Sequence, residues 1–334
     1  MKKIRILHTG GTITMQMHDN KDIAKSNRSS FNLDFFNEQI PGLRDIADVE
    51  SQSLFLEDSS DMVPARWQQL AEAIAEQYES YDGFVILHGT DTMAYTTSAL
   101  SFCFSNLDKP VVFTGSQVPL SNRRTDARRN LINSVELATL NLPEVSICFN
   151  DRVYRGNRAT KISIGDFDAF ASPNYPVLAE FGLELTIRSR YRPRSGPFGV
   201  LSRFDPNIQL VKLFPGMDCS LQVPSGPDTC RALVIEAYGS GNIPAGSSHS
   251  LLPALNTYLN AGGIVVITSQ ALYDEVDLDK YEGGRQAKEL GAISGGDMTT
   301  EACVTKLMYL LAYYDDTPTI KERFRENIAG ERTV

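Results

Sequence analysis

The sequence predicts an α/β protein of two domains: a larger N-terminal doubly wound domain on a mainly parallel sheet, and a smaller C-terminal α/β domain. Three observations carry this. Short apolar, β-rich runs alternate with helical patterns, as in βαβ units whose parallel sheet is buried on both faces. The 334 residues exceed the ~150 of a typical domain. The alternation breaks once, at RSRYRPRSGPFGVLSRFDPN (Arg188 to Asn207), whose Arg, Pro, Gly and Ser suit an exposed linker.

In chain order, IRILHT (Ile4 to Thr9) reads as the first strand and PARWQQLAEAIAEQYESY (Pro64 to Tyr81) as a helix. GFVILHGT, MAYTTSALSFCFSNL, PVVFTGS, RRNLINSVELATLNL and EVSICFN then continue the alternation to Asn150. After the break, IQLVKLFP, CRALVIEAYGSG, SLLPALNTYLNAG, GIVVITSQ and MTTEACVTKLMYLLAYY give a second unit of about four strands. The expected boundaries are 1–187 for the N-terminal domain, 188–207 for the linker and 208–334 for the C-terminal domain.

Composition narrows the partners. A formal charge of -9 repels a phosphate backbone, and the basic runs are short: NRRTDARRN (Asn122 to Asn130) and RSRYRPR (Arg188 to Arg194). No nucleic-acid partner is expected. No stretch approaches the ~20 apolar residues of a membrane helix, so no membrane partner is expected either. MKKIRILHTGG reaches glycine too soon for a signal-peptide core, which predicts a cytoplasmic chain. The five cysteines are odd in number and lack metal or redox spacing, and read as reduced, buried or half-buried thiols. The four histidines form no zinc pattern.

Ligands of open parallel sheets bind outside the carboxyl ends of the strands. Four such ends are alike: Thr9-Gly10-Gly11-Thr12, Asp58-Ser59-Ser60-Asp61, His88-Gly89-Thr90-Asp91-Thr92 and Thr114-Gly115-Ser116-Gln117. In HTGGTIT, Gly10 and Gly11 can turn the backbone tightly and present amides to a developing oxyanion beside Thr12; a purely structural turn reads equally well. No G-x-x-x-x-G-K-[ST] or G-x-G-x-x-G phosphate loop is present. Thr90 and Asp91 follow the apolar strand FVIL. A threonine hydroxyl needs a base or a cation to become a nucleophile, and a buried lysine held by a carboxylate can serve. Lys161 in RGNRATKIS is the candidate, giving a Thr90, Lys161 and Asp91 relay. The plainer alternative is a surface lysine with Thr92 as a helix N-cap.

TGGTI, HGTDTMAYTTSALSF, TGSQVP, YRGNRATK and YGSGN occur in the order and spacing of bacterial-type L-asparaginases, and the chain resembles that family from Ile4 to about Glu331. LEDSSDM, FDAFASPN and GGDMTTEACVTKLMYLL resemble its cytoplasmic type I branch. The resemblance implies an amidohydrolase that converts L-asparagine to L-aspartate and ammonia through a threonine acyl-enzyme, without metal or organic cofactor. It implies Thr12 as nucleophile and Thr90, Asp91 and Lys161 as the second catalytic group. Ser59 would hold the α-carboxylate of the substrate, Asp91 with the neighbourhood of Ser60 its α-ammonium, and Ser116 would lie near the amide. Backbone groups at Thr12 and Thr90 would receive the oxyanion. Asn242 in YGSGN matches an asparagine that reaches into a neighbouring subunit's site, which implies a homodimer or homotetramer; a plain turn is the other reading of this stretch.

The chain departs from the family pattern twice. The segment after TGGTI commonly carries a tyrosine that closes the site, whereas Thr14 to Phe36 has none, leaving His18, Lys21, Lys25 or Ser29 as replacements. In TDARRN, alanine follows Asp126 where glycine is common, which is expected to alter a turn under the site. Two other functions stay in view. One is a catalytically weak amino-acid sensor. The other is an asparaginase-like amidotransferase subunit, expected to carry an extra domain before its TGGT strand.

Overall fold

The computed structural model describes residues 1–14, 40, 42–188, 195–218, 222–246 and 249–333. The chain divides into two compact units, 1–202 and 203–334.

The first unit carries strands β1 (Lys3–Gly10), β2 (Asp48–Glu57), β3 (Gly83–Leu87), β4 (Phe104–Ser105), β5 (Val111–Thr114), β6 (Val145–Phe149), β7 (Arg152–Arg155), β8 (Thr160–Lys161), β9 (Phe170–Ala171), β10 (Ala179–Phe181), β11 (Leu185–Ile187) and β12 (Gly199–Val200). Its helices are α1 (Leu43–Ile46), α2 (Pro64–Glu76), α3 (Met93–Cys103) and α4 (Ala127–Ala138). Eight strands form one sheet in the order β11-β10-β7-β6-β5-β3-β1-β2. From β2 to β6 every pairing is parallel; β7, β10 and β11 continue antiparallel.

Both faces are covered, as continuous apolar strands require. Ile4, Ile6, Val85, Leu87 and Val112 pack with Leu131 and Val135 of α4 in one buried cluster. Phe84, Ile86 and Phe113, which alternate with them along the strands, are fully buried too. The chain passes from β1 to β2 on one side and then to β3 on the other, so the connections reverse between β1 and β3. In open α/β sheets such a switch point opens a crevice at the strands' carboxyl ends.

The second unit has a four-stranded parallel sheet, β13 (Ile208–Lys212), β14 (Ala232–Ala237), β15 (Ile264–Ser269) and β16 (Ile293–Ser294), adjacent in sequence order. Helices α5 (Leu252–Asn260), α6 (Glu282–Glu289), α7 (Thr300–Tyr313) and α8 (Thr317–Arg325) complete it. Under α7, Lys306 and Glu331 form a fully buried ion pair.

The described part of the segment expected as a linker is fixed at both ends. β12 pairs with β4, and Phe198 stacks on Tyr78 with ring centroids 3.6 Å apart, both within the first unit. Asp205 accepts from Arg231 at 2.9 Å within the second. Cys103, Cys148, Cys230 and Cys303 are buried free thiols, and Cys219 lies outside the described residues. Among the described residues no helix is long and apolar enough to cross a membrane.

Candidate active site

The switch point brings three strand ends into contact. Gly11, at φ +92°, follows β1 in the left-handed region that glycine adopts freely. A Cβ there would lie 2.6 Å from the Gly89 nitrogen, and one on Gly89 would lie 2.6 Å from Ser59 Oγ. The loops after β1, β2 and β3 thus touch where any larger residue would push them apart. Thr12 opens a 3-10 turn, Thr12–Thr14, on the site side of Gly11.

Ser59 is 4% exposed and opens a second 3-10 turn, Ser59–Asp61. Asp58 caps that turn, accepting from both the backbone nitrogen and the hydroxyl of Ser60 at 2.9 Å. The Ser60 hydroxyl is therefore already engaged. Thr92 occupies the N-cap position of α3 but makes no side-chain cap bond. Its hydroxyl donates instead to the Ser59 carbonyl at 2.7 Å, stapling the β2 loop to the β3 loop. Beneath them His88 is fully buried, with Nδ1 2.7 Å from the Gly89 carbonyl and Nε2 3.0 Å from Thr96 Oγ1. Burial holds its pKa down to about 4, so the imidazole is neutral near pH 7.

Lys161 joins the two residues it was paired with in sequence. Its Nζ donates to Thr90 Oγ1 at 2.8 Å and to Asp91 Oδ1 at 2.5 Å. The lysine side chain is 15% exposed and that of Asp91 is 64% exposed, so this lysine is not a solvated surface residue. Its delivery is architectural. The turn after β7 is tied to α3 where Thr97 Oγ1 donates to the Gly156 carbonyl at 2.9 Å, and β8 then pairs with β9. The helix that begins beyond Asp91 thus holds the segment that carries Lys161.

Ser116, at the end of β5, is 2% exposed, and its hydroxyl has no hydrogen-bond partner among the described residues. A buried hydroxyl left so costs roughly 1–3 kcal/mol, which marks it as a group available to a polar ligand. Two residues that sequence reasoning did not single out complete this loop. Gln117 Oε1 lies 3.4 Å from Thr90 Oγ1, and the Asp126 carboxylate accepts from the backbone nitrogens of Gln117 and Val118 at 3.0 and 3.1 Å. The only sequence signal for them was their place within TGSQ and TDARRN.

Alanine after Asp126 does not disturb a turn, contrary to expectation. Ala127 is the first residue of α4 and fully buried, and helical backbone makes no demand for glycine there. Asn242 belongs to the second unit. It closes a tight turn in which its nitrogen donates to the Tyr238 carbonyl at 2.8 Å, with Gly239 and Gly241 at positive φ. Ser240 Oγ links that turn to Asp277, accepting from its nitrogen at 3.0 Å. His18, Lys21, Lys25 and Ser29 lie outside the described residues.

Chemically, this arrangement presents a lysine-bound threonine, a half-open carboxylate and a free buried hydroxyl around glycine-rich backbone. That suits attack on a small polar carbonyl compound. The Asparaginase, N-terminal family matches residues 3–193, and the Glutaminase/Asparaginase C-terminal domain matches residues 207–324. L-asparaginase 1 of Escherichia coli (strain K12) is 41% identical over 340 residues, covering 99% of this chain and 98% of that one. The solved thermostable L-asparaginase from Thermococcus kodakarensis superposes with a TM-score of 0.89 at 35% identity, covering 99% of each chain. L-asparaginase I from Vibrio cholerae O1 biovar eltor gives 0.88 at 37% identity, covering 100% of this chain and 99% of that chain. With both family domains matched in order along its length, the chain belongs to the asparaginase family.

Proposed function

We propose that the chain is a cytoplasmic type I L-asparaginase that hydrolyses the side-chain amide of L-asparagine to L-aspartate and ammonia. The observation that carries this reading is Lys161 Nζ within 2.8 Å of Thr90 Oγ1 and 2.5 Å of Asp91 Oδ1, next to the Gly11–Gly89 contact. Its full-length likeness to L-asparaginase 1 of E. coli supports the substrate.

In this mechanism Thr12 Oγ attacks the side-chain carbonyl carbon, its proton passing to the Thr90–Lys161 pair, and backbone N–H groups at Thr12 and Thr90 receive the oxyanion. The pair hands that proton to the leaving nitrogen, the C–N bond breaks, ammonia departs and an ester remains on Thr12. Water then attacks the ester, its proton passing through the same pair to the Thr12 oxygen as the C–O bond breaks, which releases L-aspartate and restores the hydroxyl. Asp91 Oδ1 engages Lys161, and its exposed second oxygen is free to hold the substrate ammonium. Ser59 and the turn it opens would hold the α-carboxylate, and Ser116 the amide end. Holding both ends of so small a molecule supplies the orientation that much of the rate depends on. The chemistry asks nothing of a metal or organic cofactor. Asn242 would reach the site of a neighbouring subunit, which makes a homodimer or homotetramer the working unit.

The test is ammonia release from L-asparagine, L-glutamine and D-asparagine by the purified protein, with Thr12→Ala alongside. Release from L-asparagine that disappears in the variant supports the reading. No release from any amide, with asparagine still bound, points to an amino-acid sensor. Mixing Thr12→Ala with Asn242→Ala tests the shared site: activity recovered in mixed oligomers supports it, and none recovered removes it.

A further inference from the structure

Gln117 makes a set of contacts that the proposed chemistry does not use. Its Nε2 donates to the carbonyls of Ser163 at 3.3 Å and Asp166 at 3.1 Å, in the loop that follows Lys161. That loop is itself a closed turn, since Ser163 Oγ accepts from the Asp166 nitrogen at 3.0 Å. Two carbonyl acceptors fix which end of the amide is which, because a flipped amide would set its oxygen against both. Oε1 therefore faces Thr90 Oγ1 at 3.4 Å. The Thr90 hydroxyl accepts from Lys161, so its own proton needs another acceptor, and among the described residues Gln117 Oε1 is the one in reach. At 3.4 Å the contact sets a direction rather than forming a tight bond.

Gln117 is in turn held from below. Asp126, 7% exposed, accepts from the Gln117 and Val118 nitrogens and from Asn130 Nδ2 at 3.1 Å. Asn130, fully buried, also donates to the Gly115 carbonyl at 3.0 Å and accepts from the Asn150 nitrogen at 2.9 Å. The start of α4 thereby fixes the loops after β5 and β6 with buried, mutually satisfied groups. Such networks hold a unique geometry and are costly to break.

We infer that Asp126 and Gln117 are a positioning pair for the reaction: Asp126 fixes the backbone of Gln117, and the Gln117 amide sets the Thr90 hydroxyl and fastens the Lys161 loop beside it. Neither residue takes the nucleophile's part, and the substrate cradle at Ser59 and Asp91 is built by other loops. The inference rests on the asparaginase reading for its kinetic readout.

Three variants separate the parts. Gln117→Met removes both ends of the amide. Gln117→Glu keeps an acceptor for Thr90 but offers no donor to the Ser163 and Asp166 carbonyls. Asp126→Asn satisfies only one of the two backbone N–H groups. In Gln117→Met and Asp126→Asn, kcat for L-asparagine is expected to fall about 10- to 100-fold while KM stays within about threefold. The double variant is expected to be no worse than the worse single, the signature of one coupled unit. Deuterium exchange of residues 162–168 should accelerate in all three.

A kcat within about twofold of wild type in Gln117→Met, or additive losses in the double variant, overturns the inference. If Asp126→Asn does not fold, the two Gln117 variants decide alone. If the wild-type protein releases no ammonia, the functional reading fails, and the exchange of 162–168 still decides whether Gln117 fastens that loop.

Discussion

Both units carry a run of parallel strands, yet among the described residues only the first assembles a lysine-bound threonine beside its strand ends. In the second unit β13 to β16 lie side by side in sequence order, so successive connections run the same way and the order contains no switch point. Its strand ends are spent on turns, such as the Tyr238 to Asn242 loop that closes on itself and on Asp277. In the first unit the order reverses between β1 and β3, and there Gly11 meets Gly89 with Thr12, Ser59 and Thr90 around them. TGGT and YGSGN are both glycine-rich, but the strand order beneath them differs. A glycine-rich strand end becomes a site where two connections diverge.

The largest test of that contrast is chemical. Thr12→Ala and Thr90→Val should each lower turnover by ~10^4-fold or more without unfolding the protein, as for groups acting in one catalytic unit. Lys161→Met should follow with a loss mainly in kcat. Steady-state ammonia release checks all three, and substantial activity in any of them removes that residue's role.

Acid should distinguish the units next. Burial holds His8 and His88 of the first unit down to about 4. Unfolded histidines take up a proton near pH 6.5, so the folded state binds fewer protons between those values. Stability is full above pH 6.5 and drains as pH falls towards 4, by about 3 kcal/mol per histidine. In the second unit burial pushes Glu331 up, but the Lys306 ammonium and the backbone N–H groups of Ile328 and Ala329 more than reverse this. Its contribution therefore persists until pH falls below the ordinary glutamate range. Deuterium exchange at pH 7 and pH 5 should show the first unit loosening and the second unchanged; equal loosening would break the comparison.

Glycines sharpen it further. Gly11→Ala meets backbone at 2.6 Å in a left-handed conformation and should cost about 3 kcal/mol or more. Gly239→Ala, also at positive φ but with open space around it, should cost only about 1 kcal/mol. Denaturant titration reads the difference, and equal costs would mean that the close approach of the loops carries no stability. The smallest effect is expected at Ser60. Its hydroxyl is engaged by Asp58, so Ser60→Ala should change KM for L-asparagine by less than about twofold.

The parallel strands were legible because burial on both faces makes them continuous apolar runs. β2 was read only through its polar end at Asp58 to Asp61, not along its length: DVESQSLFLE lies at the sheet's edge and keeps polar residues. β7, β10 and β11 escaped for another reason. At three or four residues each, with Arg and Glu among them, they are shorter than any periodicity can register. The association of Thr90, Asp91 and Lys161 could be proposed from chemistry and motif. The part played by Gln117 and Asp126 could not, because it depends on which loops the sheet order places side by side.

The Lys161–Thr90 hydrogen bond spans 71 residues of chain. The main-sheet strands β5, β6 and β7 lie between its partners in sequence, so the chain must close a long loop before that bond can form. During synthesis at ~5–20 residues per second, Thr90 precedes Lys161 by roughly 4 to 14 s. A growing chain therefore carries its threonines for seconds before it carries the partner that could activate one. On the proposed mechanism reactivity arrives only with the tertiary structure, so an incomplete copy would be chemically silent.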